Sequence, residues 1–494
     1  MTDIVFLNPG EPNQIYQDLS NEFTAIEPPA FAGLFATYAR RKGARVAVVD
    51  APALGLSAEA AARLVADELK PRLCAIAVYG FQPSASTQNM TSAGKIARLI
   101  KEAAPGIKVL MTGTHPAALP ERTMREEAVD FVCDLEGPAT IYNTWAALAA
   151  GESDFAKVAS LWWREDGHIR RPLAAEPLLA DLDGAMPGIA WDLLPMERYR
   201  AHNWHAFADI DARQPYAAIH TTLGCPYKCT FCCINAPFGK SSYRMWKPET
   251  VIAEIDHLVQ RYGVKNIKIV DEMFVLNRRH VHAICDLLIE RGYDLNIWAY
   301  ARIDTVHDEF LDKLRRAGIR WLALGIESAS ADVRDGAQKQ FKQDDIRATV
   351  RRIRDAGVYV LGNYIFGLPD DTLERMQETL DLALELNTEF ANLYSAMAYP
   401  GSRLYDEALR HGWELPEAWH HYSQHGYNTK PLPTRFLSPA DIVEFRDRAW
   451  TRYFTNPAYI AMIGRTFGPA VVAHVERMTA MPLKRRLVEQ KYAA

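Results

Sequence analysis

The sequence predicts an α/β protein built from a doubly wound parallel-sheet domain, a partial (β/α)6 barrel and a helical carboxyl-terminal segment. Its 494 residues exceed what one hydrophobic core usually holds. Short apolar, β-branched runs alternate with helical patterns, in one series near the amino terminus and in a second series further on. A stretch punctuated by proline separates the two series. We therefore expect domains at 1–150, 151–215, 216–411 and 412–494.

The composition is that of a protein with large buried cores. Apolar residues make up 49% of the chain and charged residues 24%, which argues against disorder. The net charge is −5, and Lys and Arg are spread along the chain, so a nucleic-acid partner is not favoured. No signal-peptide pattern opens the sequence, and no run of about 18 apolar residues occurs. We expect a cytoplasmic protein that does not insert into a membrane.

The first domain is predicted to be a parallel sheet of five βα units. Its apolar runs, which predict strands, are 4–9, 44–50, 74–80, 108–113 and 131–137. The helical patterns between them are 28–42, 57–69, 85–103, 119–127 and 138–150. Such a sheet binds its ligand beyond the carboxyl ends of its strands. The loop residues expected to contact that ligand are Asn8, Gly10, Gly113, His115, Glu136 and Gly137.

The second series predicts the barrel. Before it, residues 151–215 predict a linker with a hairpin around Asp166–Gly167. The barrel strands are expected at 217–224, 266–274, 295–302, 321–328, 358–367 and 390–399. The helices are expected at 248–262, 278–291, 308–317, 343–356, 371–387 and 402–411. In such barrels the chemistry lies at the carboxyl ends of the strands. Beyond 412 the chain is rich in Trp, Tyr and His, and we expect it to be helical from 438 onward.

A cluster of cysteines follows the first barrel strand. Four of the seven cysteines lie within nine residues, and Cys225, Cys229 and Cys232 have the spacing CxxxCxxC. Three thiolates can hold three irons of a [4Fe–4S] cluster and leave the fourth iron open to another ligand. Catalytic metal sites keep such an open position, whereas structural sites close theirs. The alternative is a structural zinc site completed by Cys233 or His220. We interpret Cys233 as a packed thiol.

The spacing, with Phe231 just before the last cysteine, resembles the radical S-adenosylmethionine superfamily. The resemblance implies that S-adenosylmethionine chelates the open iron and that Phe231 packs near its adenine. An external electron donor, such as a flavodoxin or a ferredoxin, would reduce the cluster. Cleavage of the sulfonium then yields a 5′-deoxyadenosyl radical.

The same resemblance assigns further residues at the strand ends to the cofactor. They are Asp271, Glu272, Arg302, Glu327, Ser328 and Gly367. Asp271 and Glu272 would contact the methionine amino group, although acids at a helix amino terminus need no ligand to explain them. Glu327 and Ser328 look like the family's GxES element. Arg302 is expected either to bind a carboxylate or to pair with Asp304.

The two-domain layout, over roughly residues 1–410, is similar to the cobalamin-binding subgroup of this superfamily. The residues that resemble motifs of this subgroup are Gly113-Thr114-His115-Pro116 and Glu136-Gly137. No DxHxxG motif follows the first strand, so an axial histidine on cobalamin is not expected. The alternative is a corrinoid-free domain that only shapes the substrate site.

These features lead to one main hypothesis and two alternatives. The main hypothesis is a cobalamin-dependent radical methyltransferase that acts on an unactivated carbon of a small-molecule substrate. The first alternative is an oxidative cyclisation or rearrangement without methyl transfer, as in anaerobic porphyrin cyclases. The second is a non-catalytic metal-binding or electron-transfer protein. A single cluster is expected, because no cysteine follows Cys285. Candidate substrate-pocket residues are Trp204, His205, Tyr243, Trp246 and 413–427.

Overall fold

The amino-terminal part of the chain forms one twisted sheet. The computed structural model describes residues 2–80 and 82–493. The strands of this sheet are β1 (Ile4–Asn8), β2 (Val46–Asp50), β3 (Leu73–Val78), β4 (Lys108–Gly113), β5 (Phe131–Cys133), β6 (Leu161–Glu165) and β7 (His168–Arg170). Their order is β2-β1-β3-β4-β5-β6-β7, with β1 to β5 parallel. The five predicted βα units are confirmed.

Helices cover both faces of this sheet. The longer ones are Ala30–Arg41, Ala58–Arg63, Ala85–Ala103, Pro120–Glu126 and Pro138–Ala149. Within β1, Ile4 and Phe6 join one hydrophobic core, whereas Val5 and Leu7 join another on the opposite face. This alternation follows from the two-residue period of a strand. Both faces of β1 are fully buried, which explains why its sequence is continuously apolar.

The predicted hairpin becomes part of this sheet. β6 and β7 are joined by Asp166 and Gly167, both at positive φ, as a two-residue hairpin turn requires. β6 pairs antiparallel with β5, so the hairpin that we placed in the linker 151–215 extends the first sheet. The remainder of that linker contains only short helical turns, which are Leu182–Ala185, Trp191–Leu193, Met196–Arg198 and Trp204–Ala206.

The second sheet is an open half-barrel. The remaining strands are β8 (Tyr216–Ile219), β9 (Thr222–Leu223), β10 (Arg244–Met245), β11 (Asn266–Ile269), β12 (Asn296–Arg302), β13 (Ile319–Glu327), β14 (Tyr359–Phe366) and β15 (Phe390–Ser395). Six of them form one parallel sheet in the order β15-β14-β13-β12-β11-β8, while β9 and β10 form a small ribbon. The helices of this region are Pro248–Tyr262, Arg278–Arg291, Asp308–Arg316, Ala331–Gly336, Gln343–Asp355, Leu373–Leu386 and Arg403–His411. The predicted six-unit partial barrel is confirmed.

The carboxyl-terminal segment packs against the open side of the half-barrel. After an irregular stretch with one helical turn at Trp419–Tyr422, its helices are Pro439–Phe454, Pro457–Phe467, Pro469–Thr479 and Arg486–Ala493. The helix Pro439–Phe454 contacts the edge strand β15, where Arg446 Nε donates to the Leu393 carbonyl at 2.7 Å. Within the described part of the chain, no helix combines the length and apolar character that crossing a bilayer requires.

Candidate active site

The three cysteines line one cavity of about 240 Å³ at the carboxyl ends of the half-barrel strands. They stand on the loop that follows β9. The strand ends contribute further side chains to the same cavity, because parallel strands end at one edge of a sheet. Those residues include Glu272, Tyr300, Arg302 and Glu327, and the cavity is also lined by Phe231 of the cysteine loop and by Lys339, which follows the helix Ala331–Gly336.

The cysteine loop is anchored from its base. The Asp271 carboxylate accepts hydrogen bonds from the backbone nitrogens of Thr221 and Thr222 at 2.6 and 3.0 Å. It also accepts one from the Thr221 hydroxyl. Asp271 is therefore occupied by the chain itself, and it lines a neighbouring small cavity instead of the cysteine cavity. The prediction that Asp271 contacts the cofactor directly is not supported by its geometry, because its oxygens fix the loop that leads to Cys225.

The arrangement of the cysteines is compatible with a [4Fe–4S] cluster. Among the described residues, no three His, Cys, Asp or Glu side chains come close enough together to hold one metal ion. A cubane does not need that geometry, since each of its irons takes a single thiolate. His220, the alternative zinc ligand, lies with its ring 5.0 Å from the Phe31 ring and lines the small cavity with Asp271.

Burial and charge affect the cysteines in opposite directions. Burial raises the pKa of the Cys225 thiol to about 11, so iron must replace a tightly held proton when it binds. Arg302 supplies a positive charge, because its Nη1 lies 3.8 Å from Cys229 Sγ. The same guanidinium bonds Asp304 at 2.9 and 3.1 Å and covers the Tyr227 ring at 4.0 Å. Of the two roles expected for Arg302, the structure shows the pairing with Asp304, and the remaining nitrogen, Nη1, faces Cys229.

A buried ion pair forms part of the wall of the cysteine cavity. The Glu327 carboxylate bonds the Lys339 ammonium, and both residues are nearly inaccessible to solvent. Glu327 has a φ of +64°, a strained value for a side chain that ends a strand. Lys339 Nζ lies 6.0 Å from the centre of the Phe231 ring. No motif marks Lys339 in the sequence, and only the fold brings it to Glu327.

Glu272 is the acid after β11 that faces the cavity. Burial raises its pKa to about 7, an effect that Lys268 reduces. Two other expected contacts do not reach this cavity. Ser328 is fully buried and its hydroxyl lies 3.1 Å from that of Thr379. Gly367, at a φ of +82°, is required for packing, because a Cβ there would lie 2.8 Å from Ile442.

The ligand edge of the first sheet is marked by its topological switch point. In the order β2-β1-β3-β4-β5, the chain reverses direction between β1 and β3, which is where such sheets bind ligands. Gly10 follows β1 and Gly80 follows β3; a Cβ on Gly10 would lie 2.8 Å from Pro52 and 3.9 Å from the Asn89 amide, and a Cβ on Gly80 would lie 2.6 Å from Ala85 and 3.4 Å from that amide. Asn89 Oδ1 is buried and has no hydrogen-bond partner among the described residues. An orphaned acceptor beside two glycines fits a bound polar cofactor.

Other predicted residues of the first domain have structural contacts. Asn8 donates to Asp50 at 2.9 Å. Gly113 has a φ of +142°, and a Cβ there would overlap the Val78 carbonyl. Gly137, at a φ of +112°, leaves room for the Phe35 ring, which a Cβ would approach to 3.2 Å.

Neither His115 nor Glu136 lines the cysteine cavity. Burial lowers the pKa of His115 to about 3, and its ring packs edge-on against Trp419 at 4.4 Å. Glu136 pairs with Arg244 at 2.7 Å and accepts from the Leu179 nitrogen at 3.0 Å. The expectation that these two side chains contact the cofactor stays a prediction, and Glu136 is already paired with Arg244.

A larger cavity of about 970 Å³ adjoins the cysteine cavity. The residues that line both are Gln82, Ser84, Tyr300, Tyr394, Tyr399 and Gln424. Gln82 and Ser84 follow β3 of the first sheet, so both domains face this space. Of the substrate-pocket candidates, Trp204 and part of 413–427 line the large cavity. The other three are held in the protein: His205 Nε2 lies 2.9 Å from the Asn296 carbonyl, Trp246 donates to the Met186 carbonyl, and the Tyr243 hydroxyl donates to the Met273 carbonyl at 3.2 Å.

Three thiols at the strand ends of a half-barrel, beside the ligand edge of a doubly wound sheet, define an iron–sulfur enzyme with a second cofactor domain. Residues 219–383 match the Radical SAM superfamily, and residues 19–143 match the B12 binding domain. An uncharacterised methyltransferase from Pyrococcus horikoshii is 30% identical over 341 residues, which cover 69% of this chain and 71% of that protein. The chain belongs to the B12-binding radical S-adenosylmethionine superfamily. Its cofactors are S-adenosylmethionine, a [4Fe–4S] cluster and cobalamin.

Two further comparisons span almost the whole chain. The anaerobic magnesium-protoporphyrin IX monomethyl ester cyclase of Rubrivivax gelatinosus is 26% identical over 464 residues, covering 92% of this chain and 78% of that protein. The structure of the radical S-adenosylmethionine methyltransferase TsrM from Kitasatospora setae, with cobalamin and a [4Fe–4S] cluster, has a TM-score of 0.67. It is 17% identical and the match covers 93% of this chain and 90% of TsrM, so it supports the same fold.

Proposed function

We propose that the protein is a cobalamin-dependent radical methyltransferase that acts on an unactivated carbon of a small molecule. The observation that carries this proposal is the shared wall between the cysteine cavity and the large cavity. Loops of the B12-binding domain and strand ends of the half-barrel both border it. A substrate there would lie within reach of both cofactors, which methyl transfer by this route requires.

The chain's own residues would hold and orient the cofactors. Cys225, Cys229 and Cys232 are assigned to the cluster, and Glu272 to the methionine ammonium. Phe231 offers an aromatic surface for adenine. When bound, the cluster with S-adenosylmethionine supplies a carbon radical that abstracts hydrogen, and cobalamin supplies the methyl group. Cobalamin is assigned to the switch-point edge of the first sheet, where it would be bordered by Gly10, Gly80 and Asn89 Oδ1, which has no partner among the described residues.

The Glu327–Lys339 pair is assigned to the remaining polar groups of S-adenosylmethionine. It presents one acceptor and one donor in a wall that excludes water, where hydrogen bonds to charged groups are strong. Arg302 would stabilise the thiolate of Cys229 electrostatically.

The first experiment tests radical initiation. The protein is reconstituted anaerobically with iron and sulfide, reduced, and assayed for 5′-deoxyadenosine from S-adenosylmethionine. Cys229→Ala should abolish the product and lower the iron content, whereas Cys233→Ala should retain both. Loss of iron in both variants would support the alternative of a four-ligand structural metal site.

The second experiment separates methyl transfer from its alternative. Candidate small molecules are incubated with S-adenosylmethionine that carries a trideuterated methyl group, and products are analysed by mass spectrometry. Methyl transfer predicts that the product carries the label. The cyclase alternative, favoured by the alignment over 92% of this chain, predicts substrate consumption and 5′-deoxyadenosine without label in the product.

We also infer a cytoplasmic location and an external one-electron donor of the flavodoxin or ferredoxin class. The free state of all seven cysteines supports a reducing compartment. Replacing the chemical reductant with purified flavodoxin and its reductase should sustain 5′-deoxyadenosine formation.

A further inference from the structure

A group of charged side chains forms one wall of the large cavity. Arg446 and Asp447 stand on the helix Pro439–Phe454, Arg485 precedes the last helix, and His425 lies on the irregular stretch before them. All four line the cavity. Only 4% of Arg446 and 5% of Arg485 is exposed, so these charges have little contact with bulk water.

The two arginines differ in how completely they are bonded. Arg485 donates to Asp447 at 2.8 and 3.0 Å and to the carbonyls of Gly426 and Gln424 at 2.9 and 3.0 Å. Arg446 uses Nε for the Leu393 carbonyl and Nη1 for Asp447. Among the described residues, the only hydrogen-bond partner of its Nη2 is His425 Nε2, at a long 3.5 Å.

The group carries a net positive charge. Burial, together with Arg446 and Arg485, holds the pKa of His425 well below its usual range, so this ring is neutral. Asp447 is the single carboxylate that pairs with either arginine among the described residues. Glu444, at the rim, bonds Lys491 and Tyr492 instead. Two guanidinium charges against one carboxylate leave an excess of one positive charge, which is costly in a buried wall unless a counter-ion is present.

The rest of the cavity is largely apolar. Its walls include Trp204, Trp298, Ala323, Leu361 and Phe390. The small side chain of Ala323 leaves space where a closed barrel would have a bulky core residue.

We propose that the large cavity binds a substrate with an apolar body and an anionic group, carboxylate or phosphate, that lies against Arg446. The proposal rests on the proposed function in one respect, namely that this cavity is the substrate site. Tyr394 and Gln424 line both cavities, so the cavity that contains Arg446 borders the cysteine cavity. The anion would supply the missing counter-charge and accept from Nη2 of Arg446.

Two dyes with the same aromatic skeleton test the proposal. 1-Anilinonaphthalene-8-sulfonate carries an anionic group, and N-phenyl-1-naphthylamine lacks it. Their dissociation constants are measured by fluorescence on the full chain, with circular dichroism as a check on folding. Arg446→Gln should raise the dissociation constant of the sulfonate dye by about tenfold, equivalent to about 1.4 kcal/mol of binding free energy. The dissociation constant of the neutral dye should not change. Arg446→Lys should restore most of the affinity, and Arg465→Gln, an exposed arginine outside the cavity, should change neither.

Wild-type protein provides a second measurement that does not depend on the folding of a variant. Decanoate should displace the sulfonate dye at a concentration at least about tenfold lower than 1-decanol does. The proposal would be overturned if the two compounds displaced the dye at equal concentrations. It would also be overturned if Arg446→Gln weakened the binding of both dyes equally. Dye binding needs no S-adenosylmethionine cleavage, so its failure is distinguishable from failure of the 5′-deoxyadenosine assay.

Discussion

Replacing Lys268 by methionine should destabilise the junction between the two domains. Lys268 on β11 bonds Glu27, which lies on the loop after β1, at 2.8 Å. Their side chains are only 1% and 4% exposed. Burial alone would raise the pKa of Glu27, but Lys268 and His202 outweigh it and hold that pKa below its ordinary value. The carboxylate is therefore charged in the folded protein and depends on its partners.

Lys268→Met should lower the free energy of unfolding by about 3–5 kcal/mol at pH 8, because the change leaves a buried carboxylate without its main counter-charge. His202 Nε2 lies 3.1 Å from the same carboxylate. Burial lowers the pKa of His202, so this ring is neutral at pH 8 and cannot replace the lysine. At pH 6 the uncompensated carboxylate favours protonation of His202, so the loss should be smaller there.

Equilibrium urea unfolding measures the free energy, and hydrogen exchange of residues 11–29 locates the effect. The matched control is Lys265→Met, which removes an exposed lysine just before β11 and should cost less than about 0.5 kcal/mol. The double variant Glu27→Gln with Lys268→Met should cost clearly less than the sum of the two single changes. Equal losses for Lys265→Met and Lys268→Met, or simple additivity, would refute the reasoning.

Three further predictions address the cofactor sites. Arg302→Gln removes a positive charge 3.8 Å from Cys229 Sγ, so the midpoint potential of the cluster should fall by roughly tens of millivolts in an electron paramagnetic resonance titration. Gly113→Ala should cost about 3 kcal/mol or more in thermal unfolding and reduce cobalamin retention, because its Cβ would overlap the Val78 carbonyl; unchanged stability would contradict this. Burial raises the pKa of Asp271 to about 6, so the folded state binds this proton more tightly than the unfolded state. Wild type should therefore gain up to about 3 kcal/mol over Asp271→Asn as the pH falls from 7 to 4, and a flat difference would show that the carboxyl does not titrate in this range.

The local pattern of the sequence was sufficient to predict the elements of both sheets. β1 and β3 are buried on both faces, so their sequences are continuous apolar runs. The cysteine loop could also be predicted from the sequence, because all three thiols occur within eight residues and their spacing indicates a cluster site. The turn at Asp166–Gly167 was predicted, but not that β6 would pair with β5, since pairing depends on which sheet edge is free.

Residues that meet across the fold were not predictable from spacing. Lys339 bonds Glu327 only because the helix Ala331–Gly336 returns the chain to the strand end. Glu136 stands where a ligand contact was expected, yet its carboxylate pairs with Arg244, which lies far along the chain. A sequence reveals that an acid follows a strand, but its partner is decided by tertiary packing.

The open side of the half-barrel gives the large cavity one wall that does not include the cysteine loop. A closed ring of eight strands fills its interior with its own side chains, whereas six strands leave a gap that the carboxyl-terminal helices cover. The helix Pro439–Phe454 and residues 481–489 form much of the outer wall of the large cavity, and neither segment contains a cluster cysteine. Substitutions in this wall can therefore change the size and charge of the cavity while the cysteine loop stays the same.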